Sequence, residues 1–204
     1  MKRIAVALAT IAGLMASVAF GYSPAQAADV QRPDFATTAI DGPRFVINVR
    51  YNECLALVGG GSANGTPIGH YPCNAGPEPW FRWTFEFQGN KLICDYEDFL
   101  GNCNRYVEVA LYRLHSEQNG KCFEPKGGGT SSGTTLEQWD CRTGTLRQSW
   151  ILSNGPNGGY FFFNAKAYDE GQHKRAIDAP PFAQDYRVRL WTENGSTAQE
   201  WWVV

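Results

Sequence analysis

Cys54-Leu-Ala-Leu-Val-Gly-Gly-Gly-Ser-Ala-Asn-Gly-Thr66 is echoed later in the chain by Cys122-Phe-Glu-Pro-Lys-Gly-Gly-Gly-Thr-Ser-Ser-Gly-Thr134. Both copies contain a cysteine, a glycine-rich turn and then Gly-Thr, and both continue to a second cysteine, Cys73 or Cys141, 19 positions after the first. An aromatic residue, Tyr71 or Trp139, stands two positions before that second cysteine. A tryptophan, Trp83 or Trp150, lies further along the chain. Self-similarity of this kind indicates that the chain is built from repeated structural units.

A third and fainter copy runs from Ala176-Ile-Asp178 through Trp191 to Gln199-Glu-Trp201. It has lost both cysteines and the glycine-rich turn. Each copy follows a segment in which aromatic and β-branched residues are frequent, as in half-buried strands. These segments are Arg44–Val49, Val109–Leu114 and Tyr160–Asn164.

No long window shows the 3.6-residue apolar period of a helix, and Asn-Gly and Gly-Gly clusters supply turns between the strand segments. Three strand-rich copies predict an all-β domain that closes with pseudo-threefold symmetry. Closure would also remove exposed sheet edges.

The N-terminal segment has the features of a secretory signal peptide. Lys2 and Arg3 precede an apolar run from Ile4 to about Phe20, and the small-residue tripeptide Ala25-Gln-Ala27 follows. We therefore predict a signal peptide over residues 1–27, cleavage before Ala28 and a secreted protein. The alternative is an uncleaved membrane anchor; no later segment is apolar enough to span a membrane.

The exported chain is acidic. Without residues 1–27 it keeps 16 of its 18 basic residues and all 20 acidic ones, a formal charge of −4. Binding to nucleic acid requires a basic surface, so this balance argues against a nucleic-acid partner.

All six cysteines lie in the exported part, where oxidising conditions favour disulfides. Their spacing favours pairing of nearest neighbours: Cys54 with Cys73, Cys94 with Cys103, and Cys122 with Cys141. A metal site is the alternative, but the chain has no CxxC pair and its histidines, His70, His115 and His173, are scattered. We predict no metal and no cofactor.

The order of cysteine, glycine-rich turn, aromatic residue, cysteine and Gln-x-Trp resembles the ricin B-type lectin repeat. The last element reads Gln148-Ser-Trp150 and Gln199-Glu-Trp201 in two copies and Phe81-Arg-Trp83 in the first. In that family three repeats form a β-trefoil. The resemblance covers residues 44–204 and implies lobes at about 44–108, 109–158 and 159–204, after a flexible leader at residues 28–43.

The stretch from Trp83 to Val109 is longer than a connection between lobes should be, so it is interpreted as an insertion. It contains Cys94 and Cys103 and an acidic group formed by Asp95, Glu97 and Asp98. A surface loop stapled by a disulfide is the favoured interpretation; the alternative is a loop that extends or covers a binding face.

The lectin family implies where sugars would bind. Its acid lies two positions after the first cysteine, its aromatic residue two before the second, and an Asn precedes the Gln of Gln-x-Trp. In the third lobe Asp178 and Trp191 match, while Ala198 stands in place of the Asn. Arg189, Asn194 and Gln199 complete this candidate site.

The other two lobes depart further from the family pattern. In the second lobe Glu124 and Trp139 match in type and Arg147 replaces the Asn, which implies an altered site, shifted toward an acidic glycan. In the first lobe Ala56, Tyr71 and Trp80 occupy the three positions, and we expect no sugar to bind there in the family's manner.

Each candidate residue also has a structural interpretation. We predict that Trp83, Trp150 and Trp201 belong to the core and that Gln148 and Gln199 bond turn backbone. Trp139 and Trp191 could serve as sugar platforms or as packing. Asp178 could instead accept hydrogen bonds from turn N–H groups.

We expect no catalysis, since the chain has no free thiol, no Gly-x-Ser-x-Gly and no pair of histidines with ligand spacing. The favoured function is a lectin for galactose-type or related glycans, through the third lobe and an altered second one. The alternative is a trefoil that binds a protein, as an inhibitor or a non-catalytic subunit of a secreted toxin or hydrolase complex. Exposure of Trp80 and Phe81 within Pro79–Trp83 would favour that alternative.

Overall fold

The computed structural model describes residues 42–73, 78–100, 102–171, 174–181 and 185–204. The predicted signal peptide and the leader up to residue 41 lie outside these ranges, as does His173. The described residues form twelve strands and one short α-helix, which is too short to cross a membrane. The bounds are β1 Arg44–Asn48, β2 Glu53–Leu57, β3 Ile68–Pro72, β4 Arg82–Glu97, β5 Cys103–Ser116, β6 Cys122–Pro125, β7 Leu136–Trp139, β8 Trp150–Asn154, β9 Tyr160–Asn164, α1 Ala165–Asp169, β10 Arg175–Asp178, β11 Arg189–Thr192 and β12 Glu200–Val203.

Six of the strands close into a barrel. β1 pairs with β4 and β12, β5 pairs with β4 and β8, and β9 pairs with β8 and β12, all antiparallel. Each barrel strand therefore has a hydrogen-bonded neighbour on both sides, which removes the exposed edges of an open sheet.

The other six strands form three hairpins, β2–β3, β6–β7 and β10–β11. The hairpins also bond to one another through single bridges, which join Pro67 to Glu137, Thr135 to Arg189 and Gly69 to Arg187. Each hairpin thus touches the other two. A six-stranded barrel with a triangle of hairpins is the β-trefoil, and the predicted all-β fold is confirmed.

The predicted core tryptophans are buried. Trp83, Trp150 and Trp201 are each 0% exposed. Their indole Nε1–H groups donate to the backbone carbonyls of Leu55 (3.0 Å), Phe123 (3.2 Å) and Ile177 (3.1 Å) respectively. The acceptor is in each lobe the residue after the first cysteine position, so the three bonds are equivalent. A buried indole N–H needs such a partner.

The three predicted disulfides are present: Cys54–Cys73, Cys94–Cys103 and Cys122–Cys141. The first and third join the strands of the hairpins β2–β3 and β6–β7. The hairpin β10–β11 has no disulfide and is held by the four residue pairs of its ladder. The glycine-rich turns of the first two lobes are also equivalent, because Gly59 and Gly127 have φ values of 61° and 62°.

The insertion between the first two lobes is an extension of two barrel strands. β4 and β5 continue beyond the barrel as a two-stranded ribbon, which Cys94–Cys103 staples near its end. The predicted boundary at residues 108/109 therefore falls inside β5, whereas the boundary at 158/159 falls in the turn between β8 and β9. Asp98 accepts hydrogen bonds from the N–H groups of Leu100 and Asn102, both at 2.9 Å, and orders the ribbon tip.

Replacement of Trp201 by Ala should lower the free energy of unfolding by about 3–5 kcal/mol, because it leaves a large cavity and an unpaired carbonyl at Ile177. Denaturant unfolding of the oxidised protein measures this difference. The control is Trp202→Ala, at the neighbouring half-buried tryptophan, which should cost about 1 kcal/mol. Equal losses in the two variants would contradict the core role of Trp201.

Candidate functional site

The acid position of each lobe has an equivalent cross-strand partner. The pairs are Ala56 with Gly69 in the first lobe, Glu124 with Glu137 in the second and Asp178 with Arg189 in the third. Directly paired residues of an antiparallel ladder project to the same face of the sheet. The same place on the scaffold therefore carries a methyl group alone, two carboxylates, or a carboxylate beside a guanidinium.

In the third lobe the structure brings together three of the predicted site residues. Arg189 Nε donates to Asp178 Oδ2 at 3.0 Å, and the Arg189 Cζ lies 4.3 Å from the centroid of the Trp191 ring. Asp178 is 6% exposed and Trp191 37% exposed. The result is a layered cluster in which a buried carboxylate, a half-buried guanidinium and an exposed indole follow one another; we call it the third-lobe cluster.

Part of the hydrogen-bonding capacity of this cluster is unused by the described residues. Asp178 Oδ1 accepts no hydrogen bond from them, and the two Nη groups of Arg189 donate none to them. Asp178 bonds the side chain of Arg189 and no turn N–H, so the turn-bonding interpretation of Asp178 is not what the structure shows. An acceptor and a set of charged donors thus lie side by side.

The loop after β11 is shaped by Gln199. This side chain is 0% exposed, donates to the carbonyl of Thr192 at 3.0 Å and accepts from the N–H of Asn194 at 2.9 Å. Gln199 therefore positions the loop and cannot itself touch a ligand at the surface. Asn194 is exposed, and its Oδ1 accepts from the N–H of Ser196 at 3.0 Å.

In the second lobe, the Glu124 carboxylate is paired with side chains of the same lobe. Glu124 is 1% exposed; Gln148 Nε2 donates to its Oε2 at 2.5 Å, and Arg147 Nε lies 3.3 Å from the same oxygen. Burial raises the pKa of Glu124, and the hydrogen bond from Gln148 and the positive charge of Arg147 oppose this rise. Gln148 also accepts from the N–H of Arg142 at 2.8 Å, which fits its predicted role in bonding turn backbone.

Trp139 is half-buried, and the guanidinium of Arg142 lies 5.7 Å from its ring centroid. A guanidinium therefore covers part of the Trp139 ring, as Arg189 covers part of the Trp191 ring; the difference between the lobes is the greater exposure of Trp191 and the unused polar groups beside it. Glu124 and Arg147, which the sequence also assigned to this lobe, pair with each other, so the predicted second-lobe residues are brought close but face inward.

Glu137 is a residue of this region that the sequence analysis missed. It is 5% exposed, its Oε1 accepts from the N–H of Gly127 at 3.0 Å, and its charge adds to the raised pKa of Glu124. A signal was available, since Glu137 stands two positions before Trp139 as Arg189 stands two before Trp191. Its position within the hairpin repeat, equivalent to that of Arg189, would have identified Glu137.

The first lobe has no charged residue at its acid position, where Ala56 is 1% exposed. Phe81 is 3% exposed and Trp80 is half-buried, so the two do not form an exposed patch together. Exposure of these two residues would have favoured the protein-binding alternative, and the structure does not supply that support. Both side chains instead line an apolar pocket of the first lobe.

Among the described residues, His115, Cys122 and Cys141 place potential metal-ligand atoms within 4.8 Å of one another. The two sulfurs are joined in a disulfide, so neither is a thiolate that could bind a metal. His115 Nε2 also lies 2.6 Å from Glu86 Oε2. This group is a packed disulfide beside a close contact between His115 and Glu86, and its residues do not fit a metal site.

Residues 102–170 match the family model described as ricin-type β-trefoil lectin domain-like. The resemblance to ricin-type β-trefoil lectins is confirmed. The matched segment contains the second lobe, in which the cysteine spacing and the Gln-x-Trp of the repeat are both intact. A search of curated proteins found no match.

Solved structures show the same fold at low sequence identity. A designed threefold symmetric protein, ThreeFoil, is 19% identical with a TM-score of 0.59, covering 80% of this chain and 99% of its own. An exo-β-1,3-galactanase from Clostridium thermocellum is 17% identical with a TM-score of 0.59, covering 82% of this chain and 31% of its own. An earthworm R-type lectin C-half in complex with GalNAc is 15% identical with a TM-score of 0.50, covering 79% of this chain and 96% of its own.

The pH dependence of stability in a Glu124→Gln variant tests whether Glu124 is buried and paired with side chains of its own lobe. The pKa of Glu124 is higher in the folded protein than its ordinary value of 4.5. Glu124 therefore stabilises the wild type at pH values below 4.5, and this stabilisation is lost as the pH rises through the folded pKa. The unfolding free energy of E124Q, relative to wild type, should therefore increase as pH rises from about 4.5 toward 7, by about 1.4 kcal/mol for each unit of raised pKa.

The measurement is urea unfolding at a series of pH values with the disulfides intact. Glu108→Gln removes a carboxylate from an exposed place on β5 and reports the general effect of losing one charge. A difference between E124Q and wild type that stays constant with pH would contradict the assigned environment of Glu124.

Proposed function

We propose that the protein is a secreted, non-catalytic carbohydrate-binding module whose principal site is the third-lobe cluster. The observation that carries this proposal is the arrangement of Asp178, Arg189 and Trp191. It offers an unused carboxylate oxygen, unused guanidinium donors and exposed indole surface within one small area.

A pyranose fits the chemistry of this cluster. One sugar hydroxyl would donate to Asp178 Oδ1 and a neighbouring hydroxyl would accept from an Nη group of Arg189, both charge-assisted hydrogen bonds. The apolar C–H surface of the ring would pack on the exposed part of Trp191. Because two of these groups are already bonded to each other, the site needs little ordering before a sugar binds.

We propose a galactose-type sugar, which has neighbouring hydroxyls beside an apolar C–H patch. Two structural neighbours support this choice. The earthworm lectin half is in complex with GalNAc, and the Clostridium thermocellum enzyme is an exo-β-1,3-galactanase.

The third lobe is proposed as the main site because the second lobe would have to rearrange. Arg147 and Gln148 already bond Glu124, so an acidic glycan could reach Arg147 only by competing with that carboxylate. Separating a buried charge from its partner is costly. An acidic sugar at the second lobe is therefore proposed as a weaker, secondary function.

Export is proposed from the signal-peptide features of residues 1–27. Three disulfides support an oxidising destination, since such bonds persist mainly outside the cytosol. Glycans on cell surfaces, glycoproteins or polysaccharides would then be the accessible partners.

A glycan array probed with the oxidised protein tests this function. We expect binding to galactose- or GalNAc-terminated glycans, with Asp178→Ala and Trp191→Ala each weakening it by about tenfold or more, since a charged hydrogen bond or a stacking surface is lost. Trp139→Ala, the matched change in the second lobe, should retain binding.

Each variant is compared by near-ultraviolet circular dichroism, so that a loss of binding is assigned only to folded protein. A blank array from folded wild-type protein would contradict the carbohydrate proposal and favour the protein-binding alternative. Binding that only Trp139→Ala abolishes would move the principal site to the second lobe.

A further inference from the structure

The first lobe contains an apolar pocket at the place where the other lobes carry charged groups. The pocket has a volume of about 280 Å³ and is open to solvent. Two glycines of the turn that follows β2 line it, together with the side chains of Ala56, Leu57, Tyr71, Pro72, Trp80 and Phe81. We call it the first-lobe pocket.

Substitutions at equivalent positions explain why the pocket exists. The acid position is Ala56, and its cross-strand partner is Gly69, where the other lobes have two carboxylates or a carboxylate and a guanidinium. The position before Phe81-Arg-Trp83 holds Trp80, where the second lobe has Arg147. Charge is thus removed from the site and an aromatic wall is added to it.

The walls of the pocket are fixed in position. The Trp80 ring packs over Gly60, where an added Cβ would lie 1.6 Å from a ring carbon, so only glycine fits beneath it. The Trp80 and Phe81 rings meet edge to face with centroids 6.0 Å apart, and Phe81 is buried. The turn is held by Gln118, whose Nε2 donates to the carbonyl of Gly60 at 2.5 Å.

The described lining of the pocket carries no charge. None of the described lining side chains is acidic or basic, and burial together with the nearby Tyr186 raises the pKa of Tyr71 to about 12, so its phenol stays protonated at neutral pH. A charged ligand would lose its hydration without gaining an ionic partner. A free sugar would find no carboxylate to receive its hydroxyls. The chemistry therefore selects a neutral ligand with an apolar surface.

The volume indicates the size of the ligand. An apolar cavity of about 150 Å³ accommodates benzene, so a pocket of nearly twice that size accommodates a bicyclic ring. Aromatic rings also gain from offset or edge-to-face contact with Tyr and Trp walls. We propose that the first-lobe pocket binds a neutral bicyclic aromatic ring, of the size and polarity of indole, independently of any sugar bound at the third lobe.

Isothermal titration of the oxidised protein with indole tests the proposal. We expect saturable binding of one indole per chain. Ala56→Asp places a carboxylate in the pocket and Ala56→Leu fills it, and each should weaken indole binding by about tenfold or more. Trp191→Ala, which removes the exposed indole of the third lobe, is the matched control and should bind as wild type does.

A second measurement does not depend on any variant's folding. Crystals of the wild-type protein soaked in indole should show the ring between Tyr71 and Trp80. Galactose added in excess should not displace it, because the proposed sugar site lies in another lobe. Absence of saturable binding, indole located elsewhere, or folded Ala56 variants that bind as tightly as wild type would overturn the proposal.

Discussion

One type of hydrogen bond, present in each of the three lobes, joins the six-stranded barrel to the triangle of hairpins. Each lobe places a buried tryptophan in its last barrel strand and bonds the indole N–H to a carbonyl of the lobe's capping hairpin: Trp83 to Leu55, Trp150 to Phe123 and Trp201 to Ile177. The indole both fills the core and fixes the hairpin against the barrel. Because the acceptor is the residue before the acid position, this bond also fixes where each lobe presents its binding residues.

The equivalent scaffold position of each lobe can therefore carry different chemistry without a change of fold. The third lobe presents Asp178 with Arg189, the second lobe encloses Glu124 beside Glu137, and the first lobe has Ala56 opposite Gly69. The ladder register at these pairs is equivalent, so the lobes differ in the side chains at the pairs and in those around them. Trp191 completes the charged cluster of the third lobe, Gln148 and Arg147 surround Glu124 in the second, and Trp80 lines the apolar pocket of the first.

Features that depend on backbone geometry could be predicted from the sequence. The glycine-rich turns, the cysteine spacing and the repeated tryptophans each impose a local requirement that only a few residue types meet, so the closed threefold all-β domain, its disulfides and its core tryptophans were predicted. The β-trefoil itself was implied by the resemblance to the ricin B-type repeat. Asp178 and Trp191 were also placed in one lobe correctly by their position in the repeat.

Features that depend on which side chains meet across strands could not be predicted in the same way. In the second lobe, Gln148 and Arg147 contact Glu124. In the first lobe, Phe81 is buried and Trp80 lines the pocket. Each outcome depends on register and on the direction of long side chains, which spacing along the chain does not specify. The extension of β5 through the predicted lobe boundary has the same cause, since its pairing with β4 continues past the barrel.

The central claim is that sugar is recognised at the third lobe, and its most direct test is a nuclear magnetic resonance titration that follows the indole N–H signals of all seven tryptophans. On addition of galactose or GalNAc, we predict a saturable shift of the Trp191 signal, while the signals of the core residues Trp83, Trp150 and Trp201 stay in place. A Trp191 signal that does not move at saturating sugar, or a shift centred on Trp80 or Trp139 instead, would contradict this account.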